Sequence, residues 1–284
     1  MPTVEGSGAF AADGNGPTGR VGVLLSHGFT GTPSSMRPWA EQLAAAGLTV
    51  RLPLLPGHGS RWQDLNTTRW PDWYAEICRA HDELARRCDQ IVCCGLSMGA
   101  TLVTLLAADR GRQISGLVLV NPAFGTLRRS AALARHIAWA VRSTPGIGGD
   151  IKKPGVREPG YDRLPLRAFV SLQDLWRRVL PDLPKVTAPI LCYRSIDDHV
   201  VDRLSGELLR SGASSTTVTE VELANSYHVA TLDYDAQAIF DGSLAFIREV
   251  TGIPTVTGAT GSAASAASAA SAASAASAAS AVQG

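Results

Sequence analysis

The sequence predicts an α/β protein: a mainly parallel sheet with helices on both faces and a cap inserted near its middle. Three observations carry that expectation. Short apolar runs, the pattern of strands buried on both faces, alternate with longer segments whose apolar residues recur at helical spacing. Two of those runs end in glycine-rich turns, at His27-Gly28-Phe29-Thr30-Gly31 and Gly95-Leu96-Ser97-Met98-Gly99. The roughly 70 residues between Asn121 and Pro189 are too many for a simple crossover and too apolar for plain disorder.

In chain order, Val21 to Ser26 is the first buried strand. A helix follows its glycine-rich loop: Pro33 and Ser34 start it, Met36, Trp39, Leu43 and Ala46 share a face, and Gly47 closes it. Thr49 to Leu55 is the next strand, broken by Pro56-Gly57-His58-Gly59. A helix from about Pro71 to Cys88 should carry His81 on its surface. Trp62, Trp70 and Trp73, near its start, fit packing better than the wall of a lipid channel. Ile91 to Cys94 is then a strand, and Met98 to about Asp109 a helix. Leu117 to Val120, Ile190 to Tyr193 and Thr217 to Leu223 complete the set of strands. The insertion, about residues 123–182, holds Pro145, Pro154, Pro159, Pro165 and Pro181 and a helical patch from Ala131 to Val141. It is expected to lie over the carboxyl ends of the strands.

With 284 residues, 45% of them hydrophobic, the chain can bury one large core. The expected division is an N-terminal segment over 1–20, the folded domain over 21–252 and a low-complexity tail over 253–284. In the tail Ser-Ala-Ala repeats from Ser262, and a period of three gives no apolar stripe on a helix of period 3.6. The formal charge of +1, from 26 basic and 25 acidic side chains without long single-sign runs, argues against nucleic acid as a partner. Small uncharged substrates remain open. Cys78, Cys88, Cys93, Cys94 and Cys192 have no metal-ligand spacing and read as free thiols, with Cys93 and Cys94 on opposite faces of one strand. No basic-then-apolar leader opens the sequence and no apolar run reaches membrane-spanning length, so a cytoplasmic location is expected.

Gly95-Leu96-Ser97-Met98-Gly99 falls between a strand and a helix, the context in which a Gly-x-Ser-x-Gly turn lifts a serine hydroxyl out at the strand tip. Ser97 is the candidate nucleophile. A serine needs a base, and in this arrangement the chain order is nucleophile, acid, histidine. Of the three histidines after Ser97, His136 lies in the cap, His199 directly follows an aspartate, and His228 follows the last strand. Position favours His228. For the acid, Asp197 and Asp198 both lie past a strand end, and alternation does not choose between them. An oxyanion hole would take the Met98 amide and one from the early loop, best Phe29, each contributing roughly 3 kcal/mol to the transition state. His27 should fix that loop by hydrogen bonding, and His58 should pack. No metal or cofactor is called for.

Taken together, His27-Gly28-Phe29-Thr30-Gly31-Thr32-Pro33, Gly57-His58-Gly59, the Ser97 turn, Asp198-His199-Val200-Val201 and Asn225-Ser226-Tyr227-His228 resemble the bacterial monoacylglycerol lipases and related small carboxylesterases of the α/β-hydrolase superfamily. The similarity spans roughly residues 20–250. It implies an α/β-hydrolase fold, Asp198 as the acid, and Phe29 and Met98 as amide donors. It also implies a serine ester hydrolase acting through an acyl-enzyme on monoacylglycerols or other short- to medium-chain or lipid-derived esters, with room for transient contact with lipid surfaces. Glu158 in the cap would face the glycerol part of such a substrate, against the plainer reading of a solvated charge beside Arg157. A thioesterase uses the same machinery, and a non-catalytic ligand-binding homologue would keep the shell without needing all three triad residues. Ala100 stands where such lipases often carry a second glycine, and the Ser-Ala-Ala tail matches no pattern of the family.

Overall fold

The structure, a computed structural model, describes residues 7–146, 148–215 and 217–253. Residues 254–284, which hold the repeats of the expected tail, lie outside the described residues. The strands are β1 (Phe10–Ala12), β2 (Val21–Ser26), β3 (Thr49–Leu52), β4 (Gln90–Leu96), β5 (Gly116–Val120), β6 (Ser143–Pro145), β7 (Arg163–Pro165), β8 (Ile190–Ser195) and β9 (Val218–Leu223). The helices are α1 (Arg37–Ala45), α2 (Trp62–Leu65), α3 (Trp70–Ala85), α4 (Met98–Arg110), α5 (Arg129–Ile137), α6 (Leu166–Val179), α7 (Leu204–Gly212) and α8 (Ala236–Thr251).

Seven strands form the main sheet in the order β1-β3-β2-β4-β5-β8-β9, parallel except for the antiparallel β1–β3 pair. Strict alternation sorts the side chains. Leu24, Cys93, Leu117, Leu119 and Cys192 face the layer of α3, α4 and α6, while Val23, Leu25, Cys94, Val118 and Tyr193 face α1 and α8, where Trp39 stacks on Phe240. Burying both faces makes each central strand a continuous apolar run, which is why these runs stand out in the sequence. The parallel register pairs Ser26 with Gly95, Leu96 with Val120 and Val120 with Tyr193. The chain therefore leaves β2, β4, β5 and β8 along one edge, and every candidate site residue outside the cap lies just beyond it.

The insertion opens with α5; β6 and β7 then pair antiparallel, and the strap that joins them, described over 148–162, lies against the loop after β2: Tyr161 N–H donates to the Thr30 carbonyl at 3.3 Å. Three sequence expectations change here. The sheet reaches outside the 21–252 span, because residues 10–12 add an edge strand too short to carry a periodic signal. The insertion expected over 123–182 ends earlier as a cap, because α6 buries Ala168, Leu172, Leu175 and Val179 in the core beside α4. His81 is fully buried instead of surface-exposed, because Trp73, Ile77 and His81 follow one another at four-residue intervals along the inward face of α3. The five cysteines are free thiols, with Cys93 and Cys94 in the cores on opposite sides of the sheet. No helix among the described residues is long and apolar enough to cross a membrane.

Candidate active site

Ser97 sits on the turn from β4 into α4 with φ 55° and ψ −118°, a conformation a side-chain-bearing residue rarely adopts and one that costs about 1–3 kcal/mol. The surroundings hold it there. Ser97 N–H donates to the Val120 carbonyl at 3.0 Å. A Cβ on Gly99 would fall 2.0 Å from the Ser26 carbonyl oxygen, and one on Gly95 would fall 2.5 Å from Ala100 Cα. Glycine at both positions is thus a packing requirement of the sharp turn, and Ala100 fits within it. Ser97 also stands at the amino end of a 13-residue helix, where N–H groups have no intrahelical acceptor and the helix dipole favours negative charge. The Met98 amide belongs to that end. Gly28 packs against Ser97 Cβ, which brings the Phe29 loop beside the serine. His27 anchors that loop: its Nδ1 bonds the Gly28 carbonyl at 3.0 Å and its Nε2 accepts Leu55 N–H at 3.2 Å. Burial pushes His27 down to about 4, so it stays neutral. His58 packs edge-on against His27, Phe29 and Trp73.

The candidate acid and the candidate base meet across two loops. His228 Nδ1 lies 2.8 Å from Asp198 Oδ2, with both side chains more than nine-tenths buried. The other oxygen of Asp198 accepts the N–H groups of Val200 and Val201, each at 2.8 Å. Asp197 instead points outward, its carboxylate 56% exposed and 3.8 Å from Lys152 Nζ. Alternation left the two aspartates open, and the turn after β8 separates them. Burial alone pulls His228 down, but the carboxylates of Asp198, Glu158 and Asp150 outweigh it and hold the imidazole above its usual range. Burial likewise acts upward on Asp198, yet His228 and the two backbone donors keep it below the usual aspartate value. One residue the sequence reading missed, Asn121, secures this geometry. From the end of β5 its amide donates to the His228 carbonyl at 2.8 Å and to Ser195 Oγ at 2.9 Å, and it accepts Ser195 N–H at 2.8 Å. Its φ of 43° is one that asparagine tolerates better than most side-chain-bearing residues.

Ser97 and His228 both open into a cavity of about 480 Å³ between the strand edge and the cap. Its apolar wall includes Ile137 from α5 and Phe169, Leu172 and Trp176 from α6. Trp62, Trp70 and Trp73 do not line it; Trp73 is fully buried and bonds Thr68 Oγ1 at 3.0 Å. Glu158 does line it, at the polar end beside Thr30, its carboxylate so close to Gly31 that a Cβ there would fall 2.4 Å from Oε1. Glu158 is half-buried there, and burial raises its carboxyl above the usual range, against the lowering effects of the Ser35 hydroxyl and His228. His136, the remaining histidine after Ser97, does not line the cavity, and His199 is bonded to Asp150. Among the described residues no cluster of His, Cys, Asp and Glu is arranged to hold a metal ion.

Comparison with known proteins agrees with this architecture. The profile of the alpha/beta hydrolase family matches residues 23–241. A thermostable monoacylglycerol lipase of Bacillus sp. (strain H-257) is 41% identical over 251 residues, covering 88% of this chain and 98% of the relative. Among solved structures, that of LipS and LipT, two metagenome-derived lipolytic enzymes, is 39% identical with a TM-score of 0.83, over 87% of this chain and all of the other. The monoacylglycerol lipase of Paleococcus ferrophilus shares the fold at 20% identity and a TM-score of 0.71, over 85% and 99%.

Proposed function

The chain belongs to the alpha/beta hydrolase family and is a carboxylic ester hydrolase, and from that premise we propose that it cleaves monoacylglycerols with Ser97, Asp198 and His228 as its catalytic triad. The observation that carries the reading is the buried 2.8 Å pair of His228 and Asp198 facing the same apolar cavity as Ser97. His228 Nε2 takes the proton of Ser97 as Oγ attacks the ester carbonyl carbon. Negative charge then develops on the carbonyl oxygen, and the amides of Phe29 and Met98 receive it. Asp198 orients the imidazole and stabilises its cation. Collapse of the tetrahedral intermediate expels the alcohol, protonated by His228, and leaves an acyl-enzyme. Water activated by the same histidine attacks that ester and releases the fatty acid, regenerating Ser97.

The cavity supports the substrate class. Its apolar wall suits an acyl chain, whereas Glu158 at the polar end offers a half-buried acceptor to glycerol hydroxyls. The relative's name points the same way. Leu127, Leu133, Trp139 and Val141, exposed apolar side chains in the cap, suit transient contact with a lipid surface. Five free cysteines suit the reducing cytoplasm. The test is hydrolysis of monoacylglycerols against diacylglycerols and simple alkyl esters, by the native enzyme and by Glu158→Ala. Monoacylglycerol should be preferred, and loss of the carboxylate should cut kcat/KM for it by at least about tenfold, more than for alkyl esters. Equal rates on all three classes, with no selective loss in the variant, contradict the assignment.

A further inference from the structure

Asp150 lies in the cap strap and so far figures only as one of the negative charges near His228, yet it touches both sides of the acid–base pair. Its Oδ2 accepts the backbone N–H of His228 at 3.1 Å and that of His199, the residue directly after Asp198, at 3.2 Å. Its Oδ1 lies 2.9 Å from His199 Nδ1, and its carbonyl oxygen accepts Val229 N–H at 3.0 Å. One carboxylate, only 11% exposed, therefore spans the loop of the acid and the loop of the base. Gly149, with φ +65°, provides the left-handed turn immediately before it. The His199 ring in turn packs edge-on against Tyr227, with centroids 4.5 Å apart, which closes the contact between the two loops.

A second carboxylate fastens the same strap from the opposite direction. Buried Asp233 accepts the N–H groups of Lys152 at 2.6 Å and Lys153 at 3.0 Å from the strap, and those of Tyr227 and Tyr234, each at 2.9 Å, from the base loop. An anchor for the cap could bind this loop anywhere. Asp150 instead binds the amide of the base itself and the amide next to the acid, the two points that set how the imidazole meets Asp198.

We propose that Asp150 is a positioning residue, which makes the alignment of His228 on Asp198 depend on the seated cap strap. The proposal rests on the assignment of Ser97, Asp198 and His228 given above. Its physical basis is that a shift of about 1 Å in a reacting group lowers a rate by as much as about 100-fold, while substrate affinity, set by the cavity wall, changes little.

The test measures kcat and KM on a soluble p-nitrophenyl ester for the wild-type enzyme and for Asp150→Ala, Asp150→Asn and Asp150→Glu. It also records the downfield proton resonance of the His228 Nδ1–H shared with Asp198. Asp150→Ala should lower kcat about 10- to 100-fold with KM within about threefold, and should shift or broaden the resonance. Asparagine keeps an oxygen where the two amides need it, whereas glutamate keeps the charge and moves it by one methylene. Asp150→Asn should therefore outperform Asp150→Glu, a comparison that stands even if the alanine variant does not fold. The reverse order overturns the proposal, as does a wild-type kcat and resonance in variants that lose only thermal stability. Ser97→Ala and His228→Ala run alongside separate the two readings. If they keep activity, the triad assignment fails; if they abolish it while the Asp150 series keeps wild-type kcat, only the positioning role fails.

Discussion

His228 is a buried imidazole whose charge is set by three carboxylates. Burial would make it neutral and acidic, but Asp198, Glu158 and Asp150 stabilise its cation, so its pKa lies above the usual 6.5. As the proposed base, His228 can take the Ser97 proton only in its neutral form. The acidic limb of kcat/KM should therefore fall as pH drops through that raised value. Glu158→Gln removes one of the negative neighbours, so the cation loses support and the limb should move to lower pH. A profile of kcat/KM on an alkyl ester, from about pH 5 to pH 9, checks this; an unmoved or upward-shifted limb would contradict it. At this scale the sequence was legible where chemistry constrains residue type: a serine on a glycine-flanked turn, with an aspartate and a histidine in the expected order. Strand alternation left Asp197 and Asp198 open and only the family resemblance pointed to Asp198, because both lie past a strand end and the turn that gives Asp198 the amides of Val200 and Val201 is what distinguishes them. Asn121 and Asp150 escaped notice for a related reason. Each acts on backbone amides or carbonyls of distant loops, and no local pattern encodes that.

The strands β2, β4, β5 and β8 end in register, so four separate loops bring Phe29, Ser97, Asn121 and Asp198 to one edge. These strands were readable because both faces are buried, which turns each into an unbroken apolar run. The helix α6 was not recognised, although Ala168, Leu172, Leu175 and Val179 lie at helical spacing and Pro165 and Pro181 bracket them. The proline-rich insertion around it obscured the pattern. That omission matters, because α6 supplies one wall of the cavity and α5 another. Ile137 in α5 is half-buried and faces the space an acyl chain would fill. Ile137→Trp should shorten that space. The variant should lose roughly tenfold or more in kcat/KM for long-chain p-nitrophenyl esters relative to short-chain ones, since one methylene of pocket is worth about 10- to 200-fold in discrimination. Equal loss at every chain length would mean that the acyl group lies elsewhere.

For the whole molecule, the fold brings residues from Phe29 to His228 into a single cavity mouth and closes it with a cap tied down at Asp150 and Asp233. The class of fold followed from alternation of strand and helix, and the existence of a cap from an insertion too long for a crossover. The path of the cap did not follow, because its strap is held by backbone hydrogen bonds to loops far away in sequence. The edge strand β1 was also invisible: three residues are too few for periodicity, and part of what secures the edge is tertiary, with Arg51 of β3 paired to Asp13 at 2.6 Å and to Glu83 at 2.7 Å. The account as a whole depends on Ser97 forming the acyl-enzyme. Its most direct test is peptide mass spectrometry of the enzyme after inactivation by an alkyl fluorophosphonate, with Ser97→Ala carried through the same treatment and assayed for ester hydrolysis. The account predicts one adduct, on Ser97, in step with loss of activity, and a variant that neither labels nor hydrolyses, its kcat lower by more than about 10⁴-fold. An adduct on another residue that tracks the loss of activity, or a Ser97→Ala enzyme that still turns over ester at the native rate, would contradict it.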